Sequence, residues 1–268
     1  YQLSPHRVPE IVQSDLAPLL LELSAWGNDD PERMAWITPP PAGAITQARQ
    51  LLEELGALRH GKITPEGRSL LEFPSHPRIA HLLQSSRSNR LESLACDTAA
   101  LLEEKDPLRK ESGTDLSLRI ETLVDWRNKQ RVNADRNSLE RIDRISRQYR
   151  RILGCDALTT HPDPTDVGHL LAAAYPERIA RKEGKSDRYR LSNGAAARLP
   201  ESDTLHHFEW IAVAQMDAGT KEGRVFLAAP FNPDELIRRV TPDESIRWND
   251  ANGSVIARKE WRIGKLVA

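Results

Sequence analysis

The chain reads as a multidomain, mainly α-helical protein with a β-rich C-terminal part, and three observations carry that reading. Apolar residues recur at helical spacing from residue 15 to residue 153. After Asp156 they give way to short alternating runs bounded by turn residues. Between them in character is the stretch 39–74, where two helical segments flank a run long enough only for a hairpin. These features predict a winged helix over residues 1–74, a helical bundle over 75–156, and a small β-barrel or sandwich over 157–268.

The winged helix is built from local signals. DLAPLLLELSAW, residues 15–26, places Leu16, Leu19, Leu20 and Leu23 on one face, with Gly27 as the stop. DPERMAWI predicts a second helix, with Asp30 as N-cap and Pro31 in the first turn. Pro39, Pro40 and Pro41 end it, because each ring removes a donor and drives the preceding residue out of the helical region. A helix from Ala42 to Leu55 follows, with Ala44, Ala48, Leu51, Leu52 and Leu55 as its stripe and Gly56 closing it. His60-Gly61 centres the hairpin, and Thr64-Pro65-Glu66 opens another helix.

From His76 to Gly154 the pattern is helical, interrupted by the polar run KDPLRKESGTD. The last helix, residues 138–153, is the most regular. Leu139, Ile142, Ile145, Tyr149, Ile152 and Leu153 share one arc, and Arg144, Arg147 and Arg151 lie opposite. Beyond HPDPTD, a loop or linker, Val167 to Ala174 predicts a short helix. RIARKE, RYRLSN, FEWIAVAQM, RVFLAAP and SVIARKEWRI predict strands, with NPDELIRRV as an inserted helix.

Composition narrows function. The net charge is −1, so any attraction for nucleic acid must be local. No apolar run is long enough to span a membrane. The two cysteines, Cys96 and Cys155, lie far apart in the chain, which suits a reducing cytoplasm and argues against a disulfide framework or a zinc site.

Candidate chemistry is sparse. Gly56 to Ile63 matches G-x-x-x-x-G-K, but Ile63 stands where magnesium needs a hydroxyl and a helix precedes it where a strand should. Gly184-Lys185-Ser186 lacks the upstream glycine, so both read as turns. His161, Asp163, Asp166 and His169 match no defensible metal spacing, and no nucleophile–base pairing is recognisable.

The better lead is positive charge. Residues 119–151 carry ten basic and five acidic side chains, and arginines along one helix face can follow successive phosphates. Arg144, Arg147 and Arg151, with Arg141, are the nucleic-acid-binding candidates there, although Glu140–Arg144 and Asp143–Arg147 are spaced to pair within the helix. Arg188 and Arg190 are the candidates on the β-rich part. Alternation turns both to one face and Tyr189 to the other, as on an OB-like barrel that binds single strands. The first 72 residues carry six basic and ten acidic residues, which disfavours a groove-reading winged helix.

The parts and several phrases resemble the region that follows the two motor domains of DEAH-box helicases, most closely the bacterial HrpB type. The phrases are Pro9-Glu10-Ile11, DLAPLLLELSAWG, Asp30-Pro31, PPPAGAITQARQLLEELGAL, ITPEGRSLLEFPSHPRIAHLL, AAAYPERIA and RYRLSNG, with Tyr1-Gln2-Leu3 resembling the residues just after the second motor domain. The resemblance implies a winged helix, a ratchet-like helical bundle and an OB-like barrel. It also implies two RecA-like motor domains with a phosphate loop and a D-E-x-H box, yet Asp234-Glu235 and Asp243-Glu244 lack the required His.

The expectation is therefore an accessory fragment of an ATP-dependent helicase, inactive alone. It would have no cofactor of its own, with ATP and Mg held by the motor. Its partners would be single-stranded nucleic acid, RNA rather than DNA, and its own motor domains, in the cytoplasm and away from membranes. Alternatives are a winged-helix DNA-binding regulator and a protein-docking scaffold.

Overall fold

The proline-punctuated first third of the chain folds around a strip of buried leucines. The computed structural model describes residues 8–28, 30–184, 186–217, 222–249 and 254–268, so Tyr1-Gln2-Leu3 and Lys185 lie outside the described residues. Two units are present, Tyr1–Ser85 and Ser86–Ala268.

The first unit contains α1 (Glu10–Gln13), α2 (Ala17–Ala25), α3 (Ala42–Glu54), β1 (Leu58–Arg59), β2 (Lys62–Ile63), α4 (Pro65–Leu70) and α5 (Pro77–Ser85). Leu20, Leu21 and Leu23 of α2 are buried, as are Ile45, Ala48, Leu51 and Leu52 of α3 and Leu82 and Leu83 of α5. The segment DPERMAWI is not a full helix. It makes one 3-10 turn, Pro31–Arg33, and the Asp30 side chain caps nothing. Asp30 instead pairs with Arg33 at 2.8 Å, and the Trp36 indole donates to the Pro31 carbonyl at 2.7 Å. The prolines that follow leave too few residues to propagate a helix.

The wing follows from its turn. His60 (φ 51) and Gly61 (φ 76) both take left-handed backbone, as a two-residue hairpin loop requires, and pair Arg59 with Lys62. Thr64 caps α4: its hydroxyl accepts from the Gly67 amide at 2.9 Å and donates to the Gly56 carbonyl at 2.7 Å. Gly67 permits the helix to rest on the wing, because a Cβ there would lie 2.2 Å from the Ala57 carbonyl oxygen.

The second unit begins with α6 (Glu92–Glu103), α7 (Leu116–Arg127), α8 (Arg136–Leu153) and α9 (Pro164–Ala174). Residues Leu94 to Leu101 of α6 are all buried, which makes it the central helix. The stretch HPDPTD is less of a linker than its composition indicates, because Asp163 caps α9 by accepting from the Thr165 amide and Pro164 fills its first turn.

A closed five-stranded barrel follows: β3 (Ile179–Lys182), β4 (Arg188–Leu191), β5 (Ala196–Arg198), β6 (Trp210–Met216) and β7 (Gly223–Pro230), in the order β3-β4-β5-β7-β6. β5 and β7 are parallel and the other pairs antiparallel. Tyr189, Leu191, Ile211, Val213 and Val225 fill its interior. α9 packs on the barrel through Gly168, where a Cβ would come within 1.8 Å of the Pro230 carbonyl oxygen. Then come α10 (Asp234–Arg239), the hairpin β8 (Asp243–Asn249) with β9 (Ser254–Glu260), and the short pair β10 (Arg262–Ile263) with β11 (Leu266–Val267). The last two pairs are not part of the barrel's strand ladder, although the Lys265 amide in the β10–β11 turn donates to the Ser192 carbonyl after β4. No helix among the described residues is long and apolar enough to cross a membrane.

Because the atom opposite Gly67 is backbone, Gly67→Ala is expected to lower stability by about 1–3 kcal/mol. Gly43→Ala in α3, where nothing lies within 4 Å, should be neutral or slightly stabilising when both variants are compared by urea titration.

Candidate nucleic-acid interface

α8 is amphipathic by construction. Leu139, Ile142 and Tyr149 are buried, while Arg144, Arg147 and Arg151 are exposed on the other side. Asp135 caps the helix by accepting from the Asn137 amide, and Gly154, at φ 69, ends it in the left-handed region. The three arginines share a face, but not an environment. Arg147 is held by Asp143 at 2.6 Å, one turn earlier, as the spacing predicts. Glu140 pairs with Arg136 at 3.3 Å and not with Arg144. Among the described residues Arg144 and Arg151 carry no ion pair. Arg141 faces α6, bonding Glu104 at 2.9 Å and the Ser138 hydroxyl at 3.0 Å.

The cations counted over 119–151 are not all surface charge. Arg119 is buried and donates to Asp106 and to the carbonyls of Gly113 and Asp115. Arg127 makes a two-pronged contact with the fully buried Asp97, both bonds at 2.7 Å, and reaches Asp143 at 2.8 Å. Ser146 donates to the same Asp97 at 2.5 Å, and Arg150 closes the cluster through the Ser146 hydroxyl at 2.7 Å. Asp97, Glu104 and Asp106 lie outside the counted window, so a net charge taken along the chain overstates what solvent meets. Burial pushes the Asp143 carboxyl up, but Arg127 and Arg147 outweigh it and hold Asp143 below the ordinary carboxylate value. For Arg127 burial acts against the charge, and Asp97 and Asp143 more than compensate.

A basic groove adjoins α8. Lys129 and Arg131 in the α7–α8 connection, with Arg136, line an open depression of about 650 Å³ floored by Leu139 and Asp143. Spacing along one helix could not reveal it, because its rim is loop.

The barrel is electrostatically different. Arg188 and Arg190 do point outward and Tyr189 inward. Arg188 meets Glu183 at 2.9 Å and Glu222 at 3.0 Å, and Arg190 meets Glu183 at 2.7 Å. Arg198 and Arg181 are paired likewise, with Glu222 and Glu209. Tyr189 is no stacking platform. Its hydroxyl donates inside the barrel toward the Phe208 and Leu205 carbonyls, and burial with the Asp203 carboxylate pushes its pKa up to about 12. Arg224 and Phe226 are not among the sequence-predicted candidates. Alternation on β7 turns both outward, at the edge of a cavity of about 810 Å³ between the barrel and the α6–α7 loop. That loop is fastened there by the Ala228 amide on the Thr114 carbonyl at 2.9 Å and the Thr114 amide on Asp203 at 2.8 Å.

The remaining candidates disperse. Gly56 follows α3 and Lys62-Ile63 is a wing strand, so the glycine-lysine match is a hairpin. His161 contacts Asp125 at 2.8 Å, Asp163 is a helix cap, and His169 packs edge-on against Phe231.

The chain as a whole also resembles known proteins. Residues 48–74 match the model of the helicase associated domain (HA2), winged-helix, and residues 239–268 match that of the ATP-dependent RNA helicase HrpB connector region. The chain is 31% identical over 265 residues to the ATP-dependent RNA helicase HrpB of Escherichia coli, covering 97% of this chain and 30% of that protein. It is 35% identical over 86 residues to the pre-mRNA-splicing factor ATP-dependent RNA helicase prp22 of Schizosaccharomyces pombe, covering 32% of this chain and 7% of that one. The crystal structure of E. coli DExH-box NTPase HrpB superposes with a TM-score of 0.78 at 30% identity, over 98% of this chain and 31% of that chain. The chain thus spans about a third of the length of the HrpB proteins it matches.

Removing the buried carboxylate leaves the Arg127 and Arg150 guanidinium groups with Asp143 as their remaining carboxylate partner and breaks a buried cluster, so Asp97→Ala should cost about 3–5 kcal/mol in thermal or urea melts. The lowered Asp143 value has a defined pH signature. Its contribution is fully present above the ordinary carboxylate pKa of about 3.9 and is lost as pH falls through the lower folded value. The drop in melting temperature between pH 5 and pH 3 should therefore be smaller in Asp143→Asn than in the unaltered protein.

Proposed function

Since this chain belongs to the C-terminal, helicase-associated region of the HrpB-type DEAH-box helicase family, we propose that it guides a single nucleic-acid strand, RNA in preference to DNA, beside an ATP-driven motor of two RecA-like domains. ATP and Mg belong to that motor, and the setting is the cytoplasm. In this reading residues 1–74 form the winged helix that couples to the motor, 75–156 a ratchet-like bundle, and 157–268 an OB-like domain.

The observation that carries the proposal is the unpaired positive charge of the bundle. Arg144 and Arg151 on α8 are exposed without an ion pair among the described residues, and the groove beside the same helix is rimmed by Lys129 and Arg131. These are cations a phosphate can recruit without first breaking a salt bridge. Arg147, Arg141, Arg188 and Arg190 are secondary contacts, since each already holds a carboxylate. The OB-like reading is supported by the barrel order: numbered within the barrel it runs first-second-third-fifth-fourth and closes on the first, with third and fifth parallel. Arg224 beside Phe226 on the outer face supplies the cation and ring that a base can stack on.

Fluorescence anisotropy with a labelled single-stranded RNA tests the assignment. Weak binding that falls steeply with salt is expected, without ATP turnover by the chain alone. Joint charge reversal of Arg144, Arg147 and Arg151 should weaken it at least about tenfold and flatten the salt dependence by roughly one unit of slope per lost phosphate contact. Unchanged affinity in that variant would remove α8 from the path. No binding to any oligonucleotide at low salt would favour a protein-docking scaffold instead.

A further inference from the structure

The two cysteines are 59 positions apart in the chain, yet their sulfurs are 3.9 Å apart in the fold. Both are free thiols. Cys96 is fully buried on α6, directly before Asp97, and Cys155 is partly exposed, directly after the residue that ends α8. The backbone holds them in place on both sides. The Cys155 amide donates to the Arg150 carbonyl at 3.1 Å, and the Ser93 hydroxyl donates to the Asp156 carbonyl at 2.7 Å, clamping the turn after α8 onto the first turn of α6. A disulfide needs its sulfurs about 2 Å apart, so oxidation must draw the two side chains closer than their present 3.9 Å.

We propose that Cys96 and Cys155 are a dithiol pair that hydrogen peroxide closes into an intramolecular disulfide, stapling α6 to the end of α8. Cys155 meets the oxidant first because it is the exposed thiol. Its thiolate attacks one peroxide oxygen; an S–O bond forms, the O–O bond breaks, and the leaving hydroxide takes a proton to become water. The Cys96 sulfur, giving up its proton, then displaces hydroxide from the Cys155 sulfenic acid. The S–S bond forms as S–O breaks, and a second water leaves. Two electrons pass from the two thiols to one peroxide, and an external dithiol restores the pair. Burial, reinforced by Cys155 and Asp97, pushes the Cys96 thiol above its ordinary value, so Cys96 is the resolving thiol and not the one that meets the oxidant. None of this depends on strand binding.

The test treats the purified chain with hydrogen peroxide, alkylates it in denaturant and maps its peptides. Loss of both free thiols, a peptide pair joining Cys96 to Cys155, and a monomer that migrates faster without reductant are expected, all reversed by dithiothreitol. The melting temperature should rise by roughly 5–10 °C. In Cys96→Ala the Cys155 sulfenic acid should persist long enough to be trapped by dimedone, and Cys155→Ser should leave Cys96 free to alkylate. Wild-type protein in which Cys155 proceeds to sulfinic acid beside an intact Cys96 thiol, or in which the disulfide forms between chains, or in which both thiols survive, would overturn the proposal.

Discussion

The buried carboxylate of Asp97 is the constraint on which the second unit depends. A fully desolvated charge on the central helix is tolerable only when its lone pairs are filled, and that takes groups from two further helices. Arg127 arrives from the end of α7 with both prongs of its guanidinium, while Ser146 and Arg150 arrive from α8. Hydrophobic packing alone would let α8 slide or rotate on α6 at modest cost. The ion cluster does not, because a small rotation would strand a charge in the interior. The same rotation sets the outer face of α8, so the direction in which Arg144 and Arg151 point is decided by what the helix buries.

A second tie joins bundle to barrel. Arg119 gathers the α6–α7 loop around itself through Asp106, Gly113 and Asp115, and the shaped loop accepts a backbone bond at Thr114 from Ala228 of the barrel strand β7. The result is an electrostatic division of labour. Arg181, Arg188, Arg190 and Arg198 on the outside of the barrel are each matched by a glutamate or aspartate from a neighbouring strand or loop, whereas Arg224 on β7 has no ion pair among the described residues. Most of the uncommitted positive charge is on the bundle, at Arg144 and Arg151 on α8 and at Lys129 and Arg131 beside it.

The winged helix was the most legible part, because its signals act within a few residues. Thr64 caps its own helix, His60-Gly61 makes its own turn, and the prolines at 39–41 stop whatever precedes them. The same locality misled at DPERMAWI, where a cap and a proline could start a helix but not extend one. In the C-terminal part, β5 is only Ala196–Arg198 and carries no alternation long enough to detect, and β8 hides in the polar run after Pro242. The arginine count was correct as arithmetic, but the acids that neutralise part of it come from another helix.

By itself the sequence determined the order of the parts, the amphipathic faces of the helices and the inward turn of Tyr189, since these follow from periods of 3.6 and 2 and from caps and turns that act at short range. Tertiary structure alone decided which cations remain available and which thiols meet. Arg144 and Arg150 are both arginines on one helix, yet Arg150 is spent on Asp97 and Asp143 while Arg144 is left to solvent. Cys96 and Cys155, remote in the chain, are neighbours because α6 and α8 pack side by side. Pairing across helices depends on where the backbone returns, and no local period encodes that.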